Sequence, residues 1–229
     1  MTSRFAALFS MKNRRFDQFI FRGDTGRSAP RLYIFSVMWC NETKTMEEAK
    51  EMYYSSAECE EKALLDAAFA LCAAARTAPK GRGRDFILTA VVTGEEKEAL
   101  ARATERLGER YDAPIFLRDG GSIRKSGAVV LIGVARNRRG QKHCGMCGRE
   151  DCAAAEKAGC RCAFNDLDLG VASGSAAALA ADLRIDNRIM YTGGLGAMEL
   201  GLLGEGVENI MALPLSVGGK NIFFDRAAK

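Results

Sequence analysis

The sequence lacks features that would each point to a different class of protein. It has one histidine, His143, so a Ser-His-Asp triad would have to use a residue that lies among cysteines. No apolar run reaches the 18 or so residues that a membrane-spanning helix needs. The 229 residues also contain no internal repeat and no low-complexity linker. One large domain or two small ones are expected, with no membrane span.

Most of the chain has no net positive charge. The formal net charge is +4, but residues 1–45 alone hold eight Lys or Arg against three Asp or Glu. The remaining residues therefore carry a slight excess of acidic side chains and no polyanion-binding signature. We expect neither nucleic acid nor a membrane as a partner.

Residues 1–45 are predicted to be an N-terminal extension separate from a single domain over residues 46–229. The extension mixes aromatic residues with arginines and has no sustained helical or strand periodicity. We interpret it as disordered, or as translation from a start codon upstream of the natural one, with Met46 or Met52 opening the working protein. The alternative is a partly ordered arm that wraps a partner subunit.

Helical and strand patterns alternate along the body. The predicted strands are 86–92, 114–117, 128–135 and 209–215, and the predicted helices are 58–76, 95–110, 166–183 and 190–203. Asn165 or Asp166 is predicted to be the N-cap of the third helix. The alternation indicates an α/β or α+β fold, with helices packed on a central sheet.

Four cysteines follow the third predicted strand in the run CGMCGREDCAAAEKAGCRC. Cys144, Cys147, Cys152 and Cys162 have the spacing C-x2-C-x4-C-x9-C, which lets four thiolates meet within one short loop. Such a set is typical of a 4Fe-4S cluster, whose loops usually take three ligands from one tight run. Zinc and a disulfide network remain alternatives, the second only in an oxidising compartment. Cys160 is the rival of Cys162 as fourth ligand.

Two further patterns are candidate binding features. Gly170, Gly174 and Ala178 give the third helix a stripe of small residues, suited equally to packing within one subunit and to a dimer interface. Basic side chains in the loop Ala78–Asp85 and near the C-terminus could grip a phosphate, or could simply be solvated. They are Lys80, Arg82, Arg84, Lys220 and Arg226.

Several long motifs resemble a family of prokaryotic ferredoxin-domain proteins of unknown function. They are AARTAPKGRGRD, the cysteine run with CRCAFNDLDLGVASGS, RIDNRIMYTGG and LPLSVGGKNIFFDR, between about Met52 and Arg226. In that family the fourth cysteine precedes Ala-Phe-Asn, and this position corresponds to Cys162.

The order of helix, Ala-Arg-x-Ala-Pro and strand is also similar to the opening of nitroreductases, which are homodimeric FMN-dependent oxidoreductases. This resemblance implies an α+β, three-layer sandwich that carries the cysteine loop. It places Ala78, Pro79 and Lys80 in the flavin-binding loop, with Lys80 where nitroreductases have serine, and it adds Arg76 to the candidate flavin-binding residues. It also places Asp168 and Gly170 at the opening of an interface helix.

These patterns and resemblances together predict a cytoplasmic, homodimeric redox protein with a 4Fe-4S cluster. The favoured hypothesis is an iron–sulfur flavoprotein oxidoreductase that binds FMN in a cleft at the subunit interface. Two groups of basic residues are predicted to converge on this cleft. The first group is Lys80, Arg82 and Arg84, and the second is Lys220 and Arg226. We expect a redox partner protein or a small-molecule electron donor to exchange electrons with the protein. One alternative is an electron carrier or redox sensor with no substrate of its own, and another is a zinc-stabilised structural protein.

Overall fold

A four-stranded antiparallel sheet lies at the centre of the computed structural model, which describes residues 53–224. The order of the strands across the sheet is β1-β2-β4-β3. Their bounds are β1 Ile87–Val92, β2 Ala128–Ala135, β3 Asp186–Asn187 and β4 Val207–Ser216. The three longer strands correspond to predicted ones, whereas the two-residue β3 was not predicted.

Six α-helices connect and cover these strands within the described residues. They are α1 Ser56–Thr77, α2 Gly94–Tyr111, α3 Pro114–Lys125, α4 Cys152–Lys157, α5 Ala163–Asp182 and α6 Tyr191–Glu199. Four of them correspond to predicted helices. Helix α1 opens with a capping box in which Ser55 and Glu58 satisfy each other's backbone N–H groups.

The prediction of a strand at 114–117 was wrong, because these residues open helix α3. Pro114 is its first residue, a position where the missing N–H of proline costs no hydrogen bond and its fixed φ suits a helix. The apolar run Pro-Ile-Phe-Leu looked like a short strand in isolation. Phe116 is buried, whereas Ile115 and Leu117 are exposed, which is one turn of an amphipathic helix.

Strand β2 divides the core into two layers. Ala128, Val130, Ile132 and Val134 pack with residues of α1 and α5 on one face of the sheet. Val129 and Leu131 pack with residues of α2, α3 and α6 on the other face. The unbroken apolar sequence of β2 follows from burial on both faces. The predicted α+β three-layer sandwich is confirmed.

The strand register fixes which loops share an end of the sheet. Ile87 at the start of β1 pairs with Val134, near the end of β2, and Ala135 pairs with Val207 at the start of β4. The loop before β1 and the cysteine loop after β2 therefore leave the sheet at one end. The chain after β4 leaves at the opposite end, where β4 pairs with β3. None of the helices within residues 53–224 is long and apolar enough to cross a membrane.

Helix α6 lies close to β4 because its glycines carry no side chain. A Cβ atom on Gly194 would lie 1.8 Å from the carbonyl oxygen of Ile210, and one on Gly193 would lie 2.8 Å from the Cβ of Ala212. Both distances are too short for real atoms. The glycines of this segment thus have a packing role.

We predict that Gly194→Ala lowers the free energy of unfolding by about 3 kcal/mol or more, since the clash is with backbone that cannot move aside. Gly121→Ala is the matched control, because a Cβ there meets nothing within 4 Å. It should be neutral or stabilise by up to about 1 kcal/mol. Denaturant unfolding of both variants measures the difference, and equal stabilities would contradict the packing role.

Candidate metal centre

The four predicted ligands line one cavity. Cys144, Cys147, Cys152 and Cys162 all contribute to its wall, together with Met146, Phe164 and Arg139 among others. Cys160 does not line it. The cavity is small, about 20 Å³, which is room for about one water molecule. The loop gathers the four thiols and would have to open to admit a group between them.

Two helices fix the last two of these cysteines. Cys152 is the first residue of α4, whose N-cap Asp151 accepts a hydrogen bond from Ala154 N at 2.7 Å. Cys162 is itself the N-cap of α5, with no side-chain cap hydrogen bond. The prediction of Asn165 or Asp166 as the N-cap was therefore wrong. The partial positive charge at the start of this 20-residue helix lies beside the cavity.

Left-handed backbone conformations turn the loop between the first two cysteines. Gly145 has a φ of 64° and Gly148 a φ of 75°, and Gly148 N donates to Gly145 O at 2.9 Å. Residues that carry a side chain rarely adopt such φ angles, so the glycine after each cysteine lets the backbone turn around the cavity. His143, just before the first cysteine, has a φ of 60° and is exposed.

The cysteines do not form a ready-made site for a single ion. Among residues 53–224, no three His, Cys, Asp or Glu side chains come together closely enough to hold one metal ion. All seven cysteines in this part of the chain are free thiols, so the disulfide network is not present there. Cys40, the eighth, lies outside the described residues.

The other thiols differ in their surroundings. Burial raises the pKa of the Cys72 thiol above its usual range, since this residue of α1 packs against the apolar core. Cys59 is exposed. Cys160 accepts a hydrogen bond from Arg149 Nε at 3.3 Å, and this bond is the main cause that raises the pKa of the Arg149 guanidinium.

A buried ion pair joins the cysteine loop to α5. Arg139, only 1% exposed, donates through Nη2 to the Asp168 carboxylate, and Gly81 N donates to the other carboxylate oxygen at 2.8 Å. The guanidinium also lies 4.9 Å from the centre of the Phe86 ring. Its Nε is buried with no hydrogen-bond partner among the described residues. Arg139 thus places a fixed positive charge in the wall of the cysteine cavity.

A second buried network supports the same segment. Asn165 Nδ2 donates to Glu208 Oε2 at 2.5 Å and to Asn137 O at 3.1 Å. Asn137 Nδ2 donates back to Asn165 Oδ1 at 2.7 Å, and Asn137 Oδ1 accepts from Arg139 at 2.8 Å. Helix α5, strand β4 and the loop after β2 are therefore joined by polar side chains behind the cavity.

Sequence reasoning did not find the roles of Arg139, Asn137 and Glu208. Asp168 was noted for its place in a motif, and Asn165 for a cap that it does not form. The signal that could have found them is Asn-Arg-Arg at 137–139, which directly follows a strand buried on both faces. Polar residues in that position need buried partners.

Most basic side chains of the loop before β1 contact groups within this loop or in the adjacent segments. Lys80, with a side chain 6% exposed, donates to backbone carbonyls of α1 and lies 3.8 Å from Asp85. Arg76 forms an ion pair with Asp85 at 3.0 Å. Arg82 donates to Arg139 O at 2.9 Å.

The remaining predicted flavin contacts fall in different places. The Arg84 guanidinium lies 5.2 Å from the centre of the Phe86 ring, and Pro79 lies between α1 and a short 3-10 turn at Gly81–Gly83. Lys220 follows β4 and so lies at the opposite end of the sheet from this loop. Arg226 lies outside the described residues. One chain alone therefore does not bring Lys220 to this loop, and the predicted cleft at the subunit interface would need Lys220 from a second subunit.

Two comparisons of the sequence concern its family. The sequence model of a family described as uncharacterized proteins containing a ferredoxin domain matches residues 158–226, a range that includes Cys162 but not the first three cysteines. An uncharacterized protein from Archaeoglobus fulgidus is 43% identical over 171 residues, which cover 71% of this chain and 91% of that protein.

Solved structures similar to this chain include several nitroreductases. A putative NADH dehydrogenase/NAD(P)H nitroreductase from Bacteroides thetaiotaomicron has a TM-score of 0.46 at 11% identity and covers 68% of this chain and 74% of its own. A nitroreductase with bound FMN from Desulfitobacterium hafniense has a TM-score of 0.46 at 18% identity, with coverages of 75% and 82%.

We predict that Asp168→Asn lowers the free energy of unfolding by about 3 kcal/mol or more, because it leaves the buried Arg139 charge without its counter-ion. Arg102→Gln is the control, since Arg102 and Glu98 form a half-exposed pair at 3.6 Å that is worth about 1 kcal/mol at most. Chemical denaturation measures both. Equal, small losses would contradict the structural role of the Arg139–Asp168 pair.

Proposed function

The chain belongs to the family of uncharacterized proteins containing a ferredoxin domain, and on this basis we propose that it is a redox protein that binds a 4Fe-4S cluster. The proposed ligands are Cys144, Cys147, Cys152 and Cys162. The observation that carries the proposal is that these four cysteines line one cavity, whereas Cys160 lies outside it. When bound, the cluster would supply one-electron transfer.

The surroundings of the cavity fit an anionic iron–sulfur group. Thiolates are the ligands that such clusters take, and four are available as free thiols. The positive charge of the buried Arg139 and the partial positive charge at the N-terminus of α5 both stabilise negative charge in the cavity. The glycines after Cys144 and Cys147 allow the loop to adjust as the group enters.

The two rival functions differ in what they require of the loop. A structural zinc site would hold four of the same thiolates in a tetrahedron and would supply no electron transfer. An electron carrier or redox sensor needs the cluster but no substrate site. We place the protein in a reducing compartment, the cytoplasm, because its proposed ligands must remain free thiols.

A flavin enzyme remains the more specific form of the proposal. Arg76 and Lys80 are paired with Asp85, so the phosphate of FMN would depend on Arg82 and Arg84 in this loop. Lys220 could join them from a second subunit. This arrangement corresponds to the cleft that was expected at the subunit interface.

We propose that the chain forms a homodimer through the exposed face of α5. Leu167 and Val171 are each 47% exposed, and a Cβ on Gly170 or Gly174 would meet nothing within 4 Å. The small residues of this stripe therefore do not pack inside the described part of one subunit. A second subunit could approach closely there and cover the two apolar side chains.

We predict that alanine at any of the four proposed ligands sharply reduces the iron content of anaerobically purified protein, since a 4Fe-4S cluster needs all four thiolates. Cys160→Ala is the matched control in the same loop and should keep iron near the normal level. Colorimetric iron and sulfide assays on all five variants measure this. Loss of iron in Cys160→Ala with iron kept in Cys162→Ala would show that the fourth ligand is wrongly assigned.

We also predict that Gly174→Arg turns a dimer into a folded monomer. The new side chain meets no atom of its own subunit within 4 Å of the Cβ but would stand in the proposed interface. Gly121→Arg on α3, also with open space at its Cβ, is the control and should leave the dimer intact. Light scattering after size-exclusion chromatography gives the mass. A monomeric unmodified protein would contradict the interface.

A further inference from the structure

A second cavity lies beside the cysteine loop and is distinct from the one that the four cysteines line. Its volume is about 550 Å³, within the range of sites for small molecules. Its lining is mostly polar and includes three arginines and two glutamates. The lining residues are Arg136, Asn137, Arg138, Glu156, Gly159, Cys160, Arg161 and Glu208.

Two of its arginines have no partner for their charge. The guanidinium groups of Arg136 and Arg161 have no hydrogen bond or ion pair with any residue among 53–224, and both residues are exposed. Arg138 is held more firmly: its side chain is 25% exposed, and Nη1 donates to Cys160 O at 3.1 Å. Three guanidinium groups from two separate segments of the cysteine loop therefore surround one space.

Charge is distributed unevenly through this cavity. Arg136 and Arg161 are exposed, and so is Glu156, which lies 3.9 Å from Arg138, whereas Glu208 is only 6% exposed and is the most buried charged group of the wall. Glu208 Oε2 already accepts a hydrogen bond from Asn165 at 2.5 Å. A ligand that fits this pattern carries its anionic group near the exposed arginines and hydrogen-bond donors near Glu208.

We propose that this cavity binds a phosphate-bearing small molecule that also carries O–H or N–H donors. Guanidinium groups bind phosphate oxygens through paired, charge-assisted hydrogen bonds. The carboxylate of Glu208 accepts hydrogen bonds from the donor-bearing part of the ligand. The same chemistry serves a free sugar phosphate and a nucleotide, so the shared phosphate ester is the class assigned.

The cavity is a neighbour of the proposed metal centre. Arg161 directly precedes Cys162, and Cys160 and Asn137 belong to both the loop and the cavity wall. Phosphate binding does not itself require the cluster, so the site goes beyond the proposed function. A cluster-free protein that still bound phosphate esters would contradict the cluster and leave this proposal standing.

Isothermal titration of the full-length protein, purified anaerobically, with inorganic pyrophosphate tests the arginines. Arg136→Gln and Arg161→Gln should each weaken binding about tenfold or more, because each removes a charge-assisted contact. Arg102→Gln, on α2 and outside the cavity, should leave the affinity unchanged. Unchanged unfolding midpoints show that the variants are folded, and Arg136→Gln keeps the test valid if Arg161→Gln alters the iron content.

Absence of pyrophosphate binding at millimolar concentration, or equal affinities of all the variants, would overturn the site. A second titration compares ribose 5-phosphate with inorganic phosphate, which lacks carbon-bound hydroxyl groups. We expect the unmodified protein to bind ribose 5-phosphate more tightly than inorganic phosphate. In Glu208→Gln we expect the two affinities to become equal, while the affinity for pyrophosphate stays unchanged. Equal affinities of the unmodified protein for the two ligands would overturn the assignment of the donors to Glu208.

Discussion

The buried pair of Arg139 and Asp168 is the constraint on which the rest of the site depends. Arg139 belongs to the cysteine loop, Asp168 to α5, and the same carboxylate accepts from the backbone of Gly81. Three segments distant in sequence therefore meet at one buried charge pair. Moving two charges out of water is costly, so the pair is stable only because further hydrogen bonds and the Phe86 ring surround it.

This arrangement determines which kind of group the cysteine loop can bind. The guanidinium is fixed in the wall of the cavity, where it favours an anionic occupant, and the N-terminus of α5 adds to the effect. The Asn137–Asn165–Glu208 network holds the other side of the same loop against β4. The loop thus stands on a rigid support while its glycines remain adaptable.

Much of the fold could be predicted from the sequence because its signals are local. The apolar run at 128–135 gave the bounds of β2, and helical spacing gave α1 within two residues at either end. The segment at 114–117 was assigned wrongly because a short apolar run fits a strand and a buried helical turn equally well. The cysteines were chosen by spacing, which is also a local property.

The interactions around the site could not be predicted in the same way. Arg139 and Asp168 are separated by 28 residues, and charged residues are by default expected at the surface. Lys80 was expected to bind a phosphate, but its ammonium group lies beside the Asp85 carboxylate and donates to a backbone carbonyl near the end of α1. Strand register carries Lys220 to the other end of the sheet from this loop, so the expected cleft at the subunit interface would need Lys220 from a second subunit. Such partners depend on the tertiary fold.

The most direct test of the central claim is the ultraviolet–visible spectrum of anaerobically purified protein, taken together with its iron, sulfide and zinc content. A 4Fe-4S cluster predicts a brown protein with about four iron and four sulfide per chain and a broad absorption that bleaches on reduction. Additional flavin bands would indicate the flavoenzyme form. A colourless protein with stoichiometric zinc would contradict the account.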